Sequence, residues 1–263
     1  MKFGMPALVE CKDVYDCIEV AKKNGLDFVE INMSFPQYLP EAIDTEQLKS
    51  ALDKSGIFLT IHADEQLNPF DFNKTVSECY FNVMRSSIRF ALTMGIPVIN
   101  MHLLKGVYVT LPGKVILLTD VYSDEYFTRV REFIAMCEEE IGDKDLKICI
   151  ENVDSNAFTE SQLKALVMFM ASPVFGLTLD VGHEMCLKMA DSHVFKEYPE
   201  KLAHMHLHDC DGKKPHLALG DGILNVQQKI KDFKGETCLV EVKTIEGLEV
   251  SSRYLKEKGY INK

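Results

Sequence analysis

No cysteine of this chain stands in a CxxC pair, no apolar run approaches the roughly 20 residues of a membrane span, and no glycine-rich loop follows the first strand-like segment. Each absence removes a class. The eight scattered cysteines (Cys11, Cys17, Cys79, Cys137, Cys149, Cys186, Cys210 and Cys238) exclude a zinc-ribbon or thioredoxin-like reading and are expected to be structural, several of them packed as small hydrophobes within apolar strands or helices. PALVECKD, after the first strand-like run, has no glycines to cradle a phosphate, which argues against an open dinucleotide-binding sheet. Positive charge is also scarce. With five arginines and a formal net charge of −11, the average field repels nucleic acid and acidic membrane surfaces. The opening MKFGMPALVE lacks the long apolar core of a signal peptide, so a cytoplasmic location is the expectation.

What is present is a regular alternation. Strand-like runs at 3–9, 26–32, 57–62, 97–103, 146–152, 175–181, 202–208 and 237–243 are separated by helix-like patterns near 12–24, 45–55, 74–94, 125–140, 159–171, 184–198, 223–232 and 247–258. Asn24-Gly25, Ser55-Gly56 and Met94-Gly95 read as helix stop signals. Continuous apolar strands imply burial on both faces, and helical crossovers imply parallel pairing. Eight such units in 263 residues predict a single-domain (β/α)8 TIM barrel spanning 1–263. Residues 104–123 break the rhythm with two apolar runs around Leu111-Pro112-Gly113. They predict a hairpin inserted after strand four, serving as a lid, as a contact between copies of the chain, or as plain surface.

Four strand-like runs end on potential metal ligands: LKICIEN on Glu151, VFGLTLD on Asp180, LAHMHLHD on His206 and TCLVEV on Glu241. A carboxylate withdrawn from water is costly unless it is paired or bound to a cation. One such acid alone reads equally well as a buried ion pair or a helix cap. Four together at the carboxyl ends of barrel strands converge in one bowl and predict a shared metal site. Three carboxylates and one imidazole suit one divalent metal, Mn²⁺, Mg²⁺, Co²⁺ or Zn²⁺, better than a thiolate-preferring ion. Histidine follows the same pattern, since six of the eight (His62, His102, His183, His204, His206 and His208) fall at or beside strand ends. His204 is expected to pack inside the barrel and His193 to lie on the surface. Lys243 shares the inward face with Glu241 by alternation.

The order of IHAD, INMHLLKG, ICIENVDS, LTLDVGH, HMHLHDCDG, HLALGDG and CLVEVK resembles the xylose isomerase-like TIM-barrel superfamily, which includes sugar phosphate isomerases and epimerases, dehydratases and the apurinic endonucleases. The resemblance covers essentially the whole chain. It implies that Glu151, Asp180, His206 and Glu241 bind the cation, that Glu151 and Glu241 are also the catalytic acid and base, and that His183 helps hold substrate oxygens; His62, His102, His216 and Lys243 are further expected substrate contacts. In the endonuclease branch the histidines equivalent to His62, His102, His183 and His216 hold further zinc ions, so the resemblance leaves room for additional zinc. That branch carries an aspartate two residues before the last of these histidines, where this chain has Lys214.

The function expected is a metal-dependent isomerase or epimerase of a small sugar, sugar phosphate or related polyhydroxy carbonyl compound. A dehydratase of the same superfamily and a zinc phosphodiesterase are the alternatives. The expected partner is a small carbohydrate, with nucleic acid disfavoured, no membrane partner, and a homo-oligomer left open.

Overall fold

A computed structural model describes residues 1–153 and 157–262. Eight parallel strands close into a barrel: β1 Lys2–Pro6, β2 Phe28–Asn32, β3 Phe58–His62, β4 Val98–His102, β7 Lys147–Glu151, β8 Phe175–Asp180, β9 Leu202–Leu207 and β10 Thr237–Val240. They are joined in the order β1-β10-β9-β8-β7-β4-β3-β2. The remaining two, β5 Tyr108–Leu111 and β6 Lys114–Leu117, pair antiparallel as the expected hairpin, with Pro112-Gly113 as its turn. Each residue of β5 is exposed, so the hairpin stands away from the barrel core.

The helices are α1 Val14–Asn24, α2 Thr45–Ser55, α3 Lys74–Met94, α4 Leu118–Val121, α5 Ser123–Ile141, α6 Glu160–Ala171, α7 Val181–Cys186, α8 Ser192–Glu197, α9 Val226–Asp232 and α10 Ile245–Glu257. Side-chain caps start several of them. Asp13 accepts from the N–H groups of Tyr15 and Asp16, and Thr159 and Gln162 form a reciprocal capping box on α6. The three glycine stop signals end their helices in the left-handed conformation.

One expected helix is not continuous. The pattern at 184–198 is split between α7 and α8, because Lys188 (φ 52°) and Met189 (φ 65°) adopt left-handed backbone that no helix can pass through. Apolar periodicity runs on across this break, which hides it from the sequence. No helix among the described residues is long and apolar enough to cross a membrane.

The barrel is floored by aromatic packing. A side chain on Gly4 would collide with the Phe28 ring at 2.3 Å, so the glycine on β1 is what lets Phe28 lie across the interior. Phe28 stacks against Phe58 at 5.1 Å and touches the His204 ring at 6.0 Å. Above this floor the interior turns polar.

Candidate metal centre and its surroundings

Period-two alternation sends every second residue of a strand inward, so polar side chains climb the barrel interior in layers. The lower layer contains Glu30 of β2, Thr60 of β3, His204 of β9 and Thr237 of β10, linked to one another by hydrogen bonds. The upper layer contains His62, Glu151, Asp180 and His206. Strand register sets His102 beside Glu151 and Asp180 beside His206.

Ligand atoms of Glu151, Asp180, His206 and Glu241 all lie within 4.8 Å of one another, and all four side chains are buried. His206 Nδ1 is 3.0 Å from Glu151 Oε1, 3.2 Å from Glu241 Oε2 and 3.9 Å from Asp180 Oδ2. Proximity here is not satisfaction. His206 Nδ1 and Glu241 Oε2 are buried without an aligned hydrogen-bond partner, which in a native interior calls for a ligand that is not another side chain. Three carboxylates around one imidazole nitrogen, with lone pairs facing a common point, fit a divalent cation.

The electrostatics agree. Burial raises the Glu151 carboxyl, but the charge of His206 and the close approach of the His102, His206 and His62 rings outweigh it and hold Glu151 well below the usual carboxylate range. Glu241 is likewise lifted by burial and overcome by His206, Lys243 and His216. His206 is pushed down by burial yet held well above the usual imidazole range by Glu151, Glu30 and Glu241. A proton on His206 thus offsets negative charge that a bound cation would neutralise in its place.

Glu151 also faces the other side of the bowl. His102 Nε2 is 3.3 Å and His62 Nε2 3.6 Å from Glu151 Oε2, and the Asn100 amide donates to the same oxygen. The His62, His102 and Glu151 ligand atoms are close enough to hold an ion of their own. Asn100 works against that, since its N–H occupies the oxygen through which Glu151 would bridge. His62 donates from Nδ1 to the Ala63 carbonyl at 2.8 Å, which aims Nε2 at Glu151. Burial depresses His62, but the Glu151 hydrogen bond and charge, aided by Glu30, raise it to about 9.

A third group forms around Asp180. The Asn152 amide donates to the Asp180 carbonyl and accepts from its N–H, both at 2.9 Å, so the backbone of this ligand is clamped. Asp180 Oδ1 caps α7 by accepting the His183 N–H at 2.7 Å. His208 Nε2 donates to Asp180 at 3.0 Å, while His208 Nδ1 accepts the His216 N–H at 2.8 Å. This last bond helps hold His216 at φ 59°, a backbone conformation that non-glycine residues seldom adopt. Gly182 is what allows the His208 ring in, since a Cβ there would stand 1.9 Å from His208 Cε1. Burial pushes His216 down to about 4, opposed by Glu241 and reinforced by His208 and Lys243, so its ring is neutral at pH 7.

These groups open into a cavity of about 430 Å³ whose wall includes Leu8, Phe35, Glu65, His102, His216 and Lys243. Lys243 Nζ sits 2.7 Å from Glu241 Oε1, although the Lys243 side chain is 58% exposed. The expected site residues therefore meet in one bowl, with two differences of detail. His183 lies in the first turn of α7 and not on a strand, and β10 closes at Val240, leaving Glu241 and Lys243 on the segment beyond it. His193 is exposed and His204 buried, as expected. Asn100 and Gly182 escaped the sequence reading. Asn100 stands two residues before His102 and was findable by alternation, whereas nothing local marks Gly182.

A family model described as xylose isomerase-like TIM barrel matches residues 18–257. The chain belongs to the xylose isomerase-like TIM barrel family. Among solved structures, a D-tagatose 3-epimerase-like protein superposes with a TM-score of 0.76 at 25% identity, covering 98% of this chain and 96% of that one. The 3-keto-D-glucoside 4-epimerase of E. coli superposes equally well, with a TM-score of 0.76 over 98% of this chain and 99% of that one, but at 14% identity the likeness is one of fold. An uncharacterized protein of Methanocaldococcus jannaschii is 33% identical over 86 residues, 31% of this chain; the match spans 34% of that protein, about a third of its length.

Proposed function

We propose that the chain is a divalent-metal-dependent epimerase or isomerase of a small polyhydroxylated carbonyl compound. The observation that carries this reading is the convergence of Glu151, Asp180, His206 and Glu241 around buried atoms that lack aligned partners. The likeness to sugar-epimerase structures supports the same reading. A cation held by the four residues would polarise the substrate carbonyl and stabilise the enediolate that forms on proton loss.

The chain's own carboxylates move the proton. Glu151 and Glu241 each turn one oxygen toward His206 Nδ1 and the other away from it, toward Asn100, His62 and His102 in one case and toward Lys243 in the other. One of the two removes the proton from the carbon beside the carbonyl, and the C–H pair becomes the enediolate double bond. The other, entering the cycle with a proton taken up from water in the cavity, gives it to the opposite face of that carbon, which inverts it, and the first then releases the abstracted proton to water. Delivery to the neighbouring carbon gives isomerisation instead. His216 and His183 stand at the cavity wall, where ring N–H groups would hold substrate hydroxyls.

The test is turnover of a ketohexose panel, including D-tagatose, by chelator-treated protein before and after addition of Mn²⁺, Mg²⁺, Co²⁺ or Zn²⁺, read by proton NMR. Turnover restored by metal is the expected result, and undiminished turnover without metal would sink the reading. The histidine-rich clusters favour one second reading, a multi-zinc phosphodiesterase. About three zinc ions per chain together with cleavage of abasic DNA would replace the first reading with it.

A further inference from the structure

Two buried ionisable residues have no task in this proton-transfer scheme. Glu30 is 2% exposed and His204 0% exposed, both in the polar layer directly beneath the metal-binding cluster. Such groups are costly to bury and call for an explanation. Their hydrogen bonds supply part of one. Glu30 Oε2 accepts from Thr60 Oγ1 at 2.9 Å and from His204 Nε2 at 3.1 Å, and His204 Nδ1 is 2.6 Å from Thr237 Oγ1. This bracing fixes one Glu30 oxygen and leaves the other, Oε1, facing His206 Nε2 at 3.2 Å.

The two nitrogens of His206 thus face different surroundings. Nδ1 looks up at Glu151, Glu241 and Asp180, while Nε2 looks down at Glu30. A neutral imidazole carries its hydrogen on one nitrogen and its lone pair on the other, and the neighbour of the protonated nitrogen decides which. An ionised carboxylate only accepts. We propose that Glu30 is a positioning residue: it takes the Nε2–H of His206 and so presents the Nδ1 lone pair to the point where Glu151, Asp180 and Glu241 converge. Neither ring nitrogen of His206 makes an aligned hydrogen bond, and seating the ring on a cation would align Nε2–H with Glu30 Oε1, 3.2 Å away. Carboxylate–histidine–metal series of this kind orient the ring and raise its basicity.

Ligand atoms of Glu30, His204 and His206 also lie close enough to hold an ion by themselves. The bonds from Thr60 and Thr237 already engage Glu30 Oε2 and His204 Nδ1, so the trio is built as a brace and not as a cage.

This role rests on the metal-dependent reading proposed above, and the experiment separates the two. Metal-free full-length protein is titrated calorimetrically with Co²⁺. Glu30→Gln keeps the side-chain size but can turn an amide N–H toward Nε2, favouring the wrong tautomer. The expected result is a dissociation constant raised roughly 10–100-fold with stoichiometry unchanged. Thr60→Val, which only loosens Glu30, is expected to shift affinity in the same direction by a few-fold, about the effect of losing one brace hydrogen bond, and it carries the test if Glu30→Gln does not fold. The ¹⁵N spectrum of His206 in the Zn²⁺-loaded wild type is expected to show hydrogen on Nε2.

Wild-type affinity retained in Glu30→Gln overturns the Glu30 role alone. Loss of one of two Co²⁺ equivalents with the other unchanged overturns it in favour of an ion in the trio. A wild-type chain that takes up no Co²⁺ overturns the metal reading and the Glu30 role together.

Discussion

The two halves of the bowl are built from the same alternation and differ in what it brings inward. The half made by β7 to β10 and the segment after β10 offers Glu151, Asp180, His206 and Glu241, three acids around one imidazole. The half made by β3 and β4 offers His62, His102 and Asn100, which all address a single oxygen of Glu151. In the first, like charges crowd a point that only a cation or a proton can neutralise. In the second, donors already satisfy the one acid they face. A cluster of ligand-type residues is therefore not by itself a metal site; the difference lies in whether lone pairs or N–H groups face the centre. Glu151 belongs to both halves, one oxygen to each.

That contrast can be broken most severely at Glu151. On the proposed chemistry Glu151→Gln removes a charge from the candidate cation site and one of the two proton carriers, and turnover of any ketose found to be a substrate is expected to fall by at least ~10²–10⁴-fold, the usual worth of a positioned acid or base. His102→Ala is expected to leave metal stoichiometry, read by elemental analysis, at one per chain. A stoichiometry that dropped from two to one would make the halves alike.

Next in size is Gly182→Ala. The added methyl would drive the His208 ring from its place and loosen both Asp180 and His216, and overpacking of this kind costs about 1–3 kcal/mol. Chemical denaturation would measure it, with weakened Co²⁺ uptake in the same variant.

A subtler probe compares histidines across the bowl by NMR titration of the metal-free chain. His62, raised to about 9, is expected to stay protonated through neutral pH, whereas His216, lowered to about 4, stays neutral. The linkage signs are opposite. His62 stabilises the fold fully below the unfolded value of 6.5 and loses that contribution as pH rises through about 9; His216 begins to cost stability as pH falls below 6.5 toward 4. Parallel titration of the two rings would erase the distinction.

The smallest effect is expected on the hairpin. Tyr108 is 52% exposed, so Tyr108→Ser should change the unfolding free energy by no more than about 0.5 kcal/mol, measured by urea denaturation. A larger loss would mean that the hairpin is part of the structural core.

The barrel was legible in the sequence because its signals are local: continuous apolar runs, glycine stops and an even spacing of eight units. The four candidate ligands were legible for a related reason, since a charged residue at the end of a buried run stands out. What stayed hidden depends on distances across the barrel. Glu30 could be assigned to the bowl by its strand, but its approach to His206 joins β2 to β9, which are not neighbours in the sheet. The left-handed backbone at Lys188, Met189 and His216 likewise answers to tertiary contacts and leaves no periodic trace. Lys214, the departure noted against the zinc-rich relatives, is exposed, and the ring of His208 joins His183 and His216 in the third cluster.

The Phe28 floor bears on the chemistry as well as on the packing. By filling the space that Gly4 leaves open, it plugs the barrel beneath the polar interior, and the cavity above is lined by Phe35 and the exposed Lys243. On the proposed chemistry, a hydron lifted from a substrate carbon would then have to leave past the substrate that supplied it. With deuterium at that carbon, the fraction of label surviving into product would report how tightly each substrate stoppers the barrel.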